Sequence, residues 1–278
     1  MPPAHVWFIT GISRGFGRAL AGELLERGHA VVGTTRDGRS DLEPRAGTLH
    51  TVALDVTDAG QAETAIEEAV ARAGRLDVIV NNAGYGLLGA VEETDEDATR
   101  HLFEVNFFGA LRVTQAALPI FREQGSGHFV NLSSVAGRDP AAGAALYAAS
   151  KCALAGLSEG LAGELAPLGI HVTIVEPGAF RTDFLEPTSI RTTSHRIDAY
   201  QSTSGANLDR LSALAGKQMG DPVKAARAII EAVEAPHPPL HLVLGADSLE
   251  RSRKNVARLA EDMDLWEHVS RETAYPEE

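Results

Sequence analysis

Tyr147 and Lys151 stand four residues apart in the run Tyr147-Ala148-Ala149-Ser150-Lys151. On a helix that spacing puts both side chains on one face. An ammonium beside a phenol favours the phenolate, lowers the tyrosine pKa and makes it usable as an acid or base near neutrality. Such a pair also occurs on solvated helices, so its surroundings decide its meaning. The chain has only four tyrosines. Just upstream, an apolar run ends in Asn131-Leu132-Ser133-Ser134. Hydroxyls at the carboxyl end of a strand lie where open α/β sheets bind their ligands.

A second cluster is Thr10-Gly11-Ile12-Ser13-Arg14-Gly15-Phe16-Gly17. It sits between a strand-like run and a helical pattern, as a phosphate-binding turn must. Glycines allow a tight turn and close approach of the backbone to a pyrophosphate, and the helix start offers free N–H groups. The spacing is GxxxGxG, not the commoner GxGxxG.

The elements that must position these groups alternate along the chain. His5–Thr10, Ala30–Arg36, Leu49–Leu54, Leu76–Val80, Gly127–Ser133, Ile170–Val175 and Leu240–Leu244 read as strands. Helical patterns cover Arg14–Arg27 and about 59–73, 96–123, 146–167 and 222–235. The strands are near-continuous apolar runs, the mark of burial on both faces. Strands separated by helices imply right-handed crossovers and a parallel sheet. The reading is α/β: one doubly wound, Rossmann-like domain with a seven-stranded parallel sheet and helices on both faces. It spans 1–245, with an irregular loop at 179–221 placed to cover a substrate. Residues 246–278 form a charged helical tail.

Together these motifs resemble the short-chain dehydrogenase/reductase family, in its compact branch. The resemblance spans roughly residues 5–245. It rests on TGxxxGxG at Thr10–Gly17, Asp55-Val56, NNAG at Asn81–Gly84, Asn106 in VNFFG, Ser134, YxxxK at Tyr147–Lys151, and Pro177-Gly178 followed by Thr182. It implies an oxidoreductase that moves a hydride between a nicotinamide cofactor and a carbonyl or secondary alcohol. Tyr147 is then the general acid or base, and Ser134 bonds the same substrate oxygen, with Ser133 as a neighbouring strand-end hydroxyl. Lys151 holds the nicotinamide ribose and tunes Tyr147. Asn106 sits mid-helix and holds a water that links Lys151 to solvent. Gly11, Ser13, Arg14, Gly15, Phe16 and Gly17 form the phosphate turn. Asn82, Ala83 and Gly84 line the cofactor, Asp55 and Val56 meet the adenine, and Pro177, Gly178, Phe180 and Thr182 close the amide or pyrophosphate end. Whatever the family, negative charge grows on the carbonyl oxygen as hydride arrives, and a Tyr147–Ser134 donor pair offsets it.

The residue ending the second strand separates NAD from NADP, since an acid there binds the free ribose hydroxyl and an arginine accepts the 2′-phosphate. Thr35 holds that position, Arg36 follows, and Arg14 approaches from the glycine turn. NADP(H) is therefore expected, with NAD(H) possible, and Asp37 competes if the strand ends one or two residues later. On the substrate side, Tyr85, Leu87, Leu88, Phe180, Phe184, Leu185 and Tyr200 point to an apolar ketone or alcohol, or else pack the loop itself. Arg181, Arg191 and His195 read as surface residues before ligand contacts.

Composition narrows the partners. The chain has 25 Lys+Arg and 38 Asp+Glu, a net charge of −13. That disfavours nucleic acid and anionic membranes, which call for a positive face. A single cysteine, Cys152, precludes an internal disulfide or a multi-cysteine metal site. No metal is expected. With no leader pattern and no long apolar run, the expectation is a cytoplasmic protein, and the resemblance implies a homodimer or homotetramer through the two long helices. Two other readings stand beside the enzyme: a non-catalytic dinucleotide-binding sensor or scaffold, and an epimerase or dehydratase on the same fold. Intact Ser134, Tyr147 and Lys151 argue against the first. The glycine spacing and the lack of a large substrate domain argue against the second.

Overall fold

The structure is a computed structural model that describes residues 5–186, 189–193 and 195–275. In chain order its elements are β1 (Val6–Ile9), α1 (Gly15–Glu26), β2 (Ala30–Thr35), β3 (Thr48–Ala53), α2 (Ala59–Ala73), β4 (Val78–Asn81) and β5 (Gly86–Leu88). Next come α3 (Glu96–Phe103), α4 (Gly109–Gln124), β6 (Gly127–Leu132), α5 (Ala145–Leu165), β7 (Ile170–Pro177) and β8 (Ile190–Thr192). The last are α6 (Ala206–Leu214), α7 (Pro222–Glu234), β9 (His241–Leu244) and α8 (Ala246–Arg271).

Seven strands form one sheet in the order β3-β2-β1-β4-β6-β7-β9. Every pairing in it is parallel. This is the doubly wound sheet that the apolar runs predicted. Alternate residues of β1 enter two cores. Val6 and Phe8 pack with Ile66, Val113, Phe121 and Leu161 of α2, α4 and α5. Trp7 and Ile9 pack with Leu20 and Leu24 of α1 and Ile229 and Ile230 of α7. Both faces of the sheet are thus covered, which is why strand residues are apolar without alternation. Helix ends follow local chemistry. The Asp58 carboxylate accepts from the N–H groups of Gly60 and Gln61 to start α2, and Gly74, left-handed at φ 80°, stops it.

The chain order reverses between β1 and β4, the neighbours at the centre of the sheet. Their carboxyl ends carry the Thr10–Gly17 turn and Asn82-Ala83-Gly84, and ligands bind at such a switch point.

Two segments depart from the sequence reading. The helix expected over 96–123 is interrupted at Glu104–Phe108 by a π-turn that carries Asn106 inward. Residues 179–221 are not wholly irregular: they contain β8 and α6. Strand β8 pairs in parallel with β5 to make a second, two-stranded sheet over the cleft. The tail is helical from Ala246 to Arg271, and residues 276–278 lie outside the described residues.

Candidate active site

A cleft of about 910 Å³ opens at the carboxyl edge of the sheet. The expected catalytic and cofactor residues line it, with the exceptions of Gly17 and Asn106; of the expected substrate-side residues, Leu87 and Tyr200 do not. Gly17 and Asn106 act from behind the wall. A Cβ on Gly17 would lie 2.2 Å from the Gly11 carbonyl oxygen and 2.5 Å from Asn82 Nδ2, so only glycine lets α1 approach the turn. Asn106 is 1% exposed. Its Oδ1 accepts from Tyr85 N–H at 3.0 Å, and its Nδ2 donates to the Tyr85 carbonyl at 3.0 Å and to Ser150 Oγ at 3.1 Å. The π-turn thereby clamps the segment after NNAG onto helix α5, which bears Tyr147 and Lys151.

The glycine turn is shaped by its own contacts. Gly11 and Gly15 have φ of 74° and 62°, a region that side chains resist. Asn82 Nδ2 donates to the carbonyls of Thr10 and Gly11 at 2.8 and 2.9 Å. Its amide is therefore spent on fixing the turn, while its backbone borders the cleft. A Cβ on Gly15 would meet only Thr182, at 4.0 Å, so open space faces the start of α1. No side chain caps that helix start at Arg14. Uncapped N–H groups, positive-φ glycines and open space fit a pyrophosphate.

Along the second strand, Thr35 ends β2 and Arg36 follows at the cleft wall. Asp37 is turned into a local loop. Its Oδ1 accepts from Thr35 Oγ1 at 3.0 Å and from Arg39 N–H at 3.2 Å, and it does not line the cleft. Asp55 is held below the usual carboxylate range by the backbone and side chain of Thr57, and further by the charge of Arg36. Val56 is buried against Gly109, where a Cβ would meet it at 2.7 Å.

At the other end of the cleft stand Ser134, Tyr147 and Lys151. Tyr147 and Lys151 are 8% and 5% exposed. Ser134 Oγ accepts from the Ala136 N–H at 3.1 Å, and its hydroxyl stands beside the Tyr147 phenol, where it favours the ionised form. Ser133 Oγ instead donates to the Lys151 carbonyl at 3.0 Å, so it is spoken for structurally. Lys151 Nζ donates to the Leu132 carbonyl at 2.7 Å. The spacing predicted that Lys151 would draw the phenol toward neutrality. Burial instead pushes Tyr147 up to about 12, opposed by the neighbouring Ser134 hydroxyl, and pushes Lys151 down to about 8. Desolvation outweighs proximity here because both groups are shut away from water.

The pocket beside Tyr147 is apolar. Tyr147, Tyr85, Phe184 and Leu87 pack in one cluster, with the Tyr147 and Phe184 rings 5.7 Å apart. Tyr85 OH is buried without a hydrogen-bond partner, and the Arg191 guanidinium lies 5.0 Å from its ring centroid. Leu88 and Leu185 line the cleft, whereas Tyr200 OH turns away to Glu92 at 2.6 Å. Arg181 donates to the Gln218 carbonyl, and His195 is exposed outside the cleft.

Several wall residues escaped sequence reasoning. Ile190 of β8 and Leu211 and Leu214 of α6 add apolar surface. The spacing of Leu208, Leu211 and Leu214 was the signal for a short helix. Arg138 grips the buried Glu176 with two bonds, at 2.9 and 3.1 Å, and so ties the loop after Ser134 to the end of β7. Asn81 Nδ2 bonds Asn131 Oδ1 at 2.8 Å, which joins β4 to β6 beneath the site. Among the described residues, one group brings three possible metal-ligand atoms within 4.8 Å: His5, His29 and Glu234, at the opposite edge of the sheet. There His29 Nδ1 accepts the His5 N–H, which places the ring proton on Nε2 toward Glu234.

The sequence pattern of the short chain dehydrogenase family matches residues 5–192. The chain belongs to that family. This short-chain dehydrogenase is 37% identical over 270 residues to oxidoreductase BOA17 of Botryotinia fuckeliana, covering 95% of this chain and 97% of that one. A crystal structure of a short-chain dehydrogenase from Streptomyces avermitilis superposes with TM-score 0.89 at 42% identity, covering 98% of this chain and 100% of that one. A short-chain dehydrogenase/reductase from Burkholderia phymatum in complex with NAD matches with TM-score 0.79 at 25% identity, covering 90% and 92%. A short-chain dehydrogenase from Burkholderia cenocepacia in complex with NADP matches with TM-score 0.71 at 26% identity, covering 94% and 96%. The dehydrogenase has no helix among its described residues long and apolar enough to cross a membrane.

Proposed function

We propose that this short-chain dehydrogenase interconverts an apolar ketone and its secondary alcohol with NADP(H). The observation that carries the reading is the half-buried Ser134 hydroxyl beside the buried Tyr147 phenol, with Lys151 one helical turn on, at one end of the cleft. The bound cofactor would supply or take the hydride. The uncapped start of α1, Ser13, Arg14 and Thr182 would hold its pyrophosphate, and Lys151 its nicotinamide ribose.

The protein's own work is positional and protic. Tyr147, protonated at neutral pH, donates a hydrogen bond and then its proton to the substrate oxygen. Ser134 donates to the same oxygen as charge grows there. Tyr85, Phe184, Ile190 and Leu211 exclude water and favour an apolar substituent. Asn106 keeps α5 and the NNAG segment in register. Its amide hydrogens are taken by Tyr85 and Ser150, which supports a positioning role over the water-holding one.

The preference for NADP(H) is supported by Arg36 at the end of β2 and by the engagement of Asp37 with Thr35 and Arg39. No acid then faces the ribose at that point, and a guanidinium does. The test is a panel of aliphatic, cyclic and aromatic ketones with NADPH and NADH, followed by loss of reduced-cofactor absorbance. Turnover with NADPH on apolar ketones is expected. Binding of the cofactor with no turnover on any member would favour a sensor.

A further inference from the structure

Helix α8 changes character along its length. Its first turns are fastened to the body. Ser248 Oγ donates to the Glu176 carbonyl at 2.8 Å, and Asp247 accepts from Ala179 N–H at 2.8 Å. Arg251 Nε donates to Asp139 at 3.0 Å. From Glu261 to Arg271 every residue is exposed. Along the outer two thirds of the helix, Val256, Leu259, Met263 and Trp266 recur at spacings of three and four, and they are 54%, 56%, 59% and 58% exposed. Leu249 continues the stripe toward the body. This is the three-four rhythm of helices that pair. A projecting segment of such length holds little helicity in water unless a stripe of this kind is buried.

The charges on the same helix reverse midway. Residues 251–258 contain Arg251, Arg253, Lys254 and Arg258 and no acid. Residues 260–267 contain Glu261, Asp262, Asp264 and Glu267 and no Lys or Arg. The basic half of one helix matches the acidic half of an identical helix only when the two run antiparallel. A parallel pair would set like against like. An anionic membrane would meet the basic half and be repelled by the acidic one.

We infer that α8 pairs antiparallel with α8 of a second copy of this chain, stripe against stripe. Antiparallel packing sets Val256 opposite Trp266 of the partner subunit, and Leu259 opposite the partner's Met263. It brings Arg253 beside the partner's Glu267. The contact is separate from α4 and α5. It begins one turn from Asp247 and Arg251, both of which line the cleft.

The full chain tests this by light scattering across dilution, with Trp266 emission read in parallel. Leu259→Glu is expected to halve the molar mass and red-shift the emission, since Trp7 is fully buried within the subunit. Arg253→Glu and Glu267→Arg are each expected to weaken association at least tenfold. The double variant is expected to restore it to within threefold, because antiparallel pairing places each new charge against its opposite. Unchanged mass in Leu259→Glu overturns the inference, as does a double variant no better than the singles. Binding of the wild-type chain to phosphatidylcholine–phosphatidylglycerol vesicles, lost in Leu259→Glu at constant mass, also overturns it.

Discussion

Burial drives the proton affinity of the Tyr147 phenol up to about 12, and the neighbouring Ser134 hydroxyl opposes that rise. The pair therefore presents two hydroxyls to one point in the cleft, with the phenol protonated at neutral pH. A proton donor toward a carbonyl oxygen has to start in that state. In the proposed reading, the oxidative direction would require the phenol to lose its proton first.

Tyr147→Phe is expected to lower kcat at least 10³-fold while NADPH binding, followed by quenching of protein fluorescence, changes less than about threefold. Ser134→Ala should lower kcat by about 10²–10³, the usual loss for one donor to a developing oxyanion. Normal turnover in Tyr147→Phe would remove the proton-transfer role.

Lys151 gives the reaction a pH limit. Burial pushes its pKa down to about 8. Below that value the ammonium is charged and, in the proposed reading, would hold the nicotinamide ribose; above it the charge is lost. In the free enzyme, kcat/KM for ketone reduction is expected to fall as pH rises through about 8. Lys151→Arg should abolish that limb of the profile, because a guanidinium keeps its charge there. A profile flat to pH 10 in the wild type would contradict the assignment.

Arg36 sets cofactor choice in the proposed reading. Arg36→Ala is expected to weaken NADPH binding by about 10- to 100-fold, the range for loss of a charge-assisted bond. NADH binding should change less than about threefold. Titration of both cofactors against the variant checks this, and equal losses would sink the cofactor argument.

The sheet was legible because strands buried on both faces are mostly apolar: β1 wholly so, β4 and β6 but for Asn81, His128 and Asn131. The starts of α2 and α7, expected at about 59 and 222, fall at those residues. Strands β5 and β8 were not. Each has three residues, too few for any periodicity, and they exist because they pair with each other over the cleft. The Glu176–Arg138 pair was equally hidden, since its partners are far apart in sequence. Tyr147 and Lys151 were found by spacing, but spacing carries no measure of desolvation, so the direction of the tyrosine shift was misjudged. On α8 the heptad stripe was present in the sequence all along. It gained meaning once the structure left it uncovered.

Acid stability offers a test independent of catalysis. His128 on β6 is buried, and its Nε2 lies 2.9 Å from Thr173 Oγ1. Thr173 Oγ1 donates to the Pro239 carbonyl at 2.7 Å, so it accepts from His128, whose ring is then neutral with its proton on Nε2. Burial, with a smaller contribution from His171, pushes the His128 pKa down from 6.5 to about 3. Between those values the unfolded chain binds a proton that the native chain refuses, so stability rises with pH across the window. On acidification the protein should lose on the order of a few kcal/mol from this one group between pH 6.5 and 3. His128→Gln, which keeps a donor toward Thr173 but cannot titrate, is expected to be less stable at pH 7 yet to lose less on going to pH 4. Urea unfolding at both pH values measures the difference. An equal loss in wild type and variant would show that His128 is not the acid-labile group.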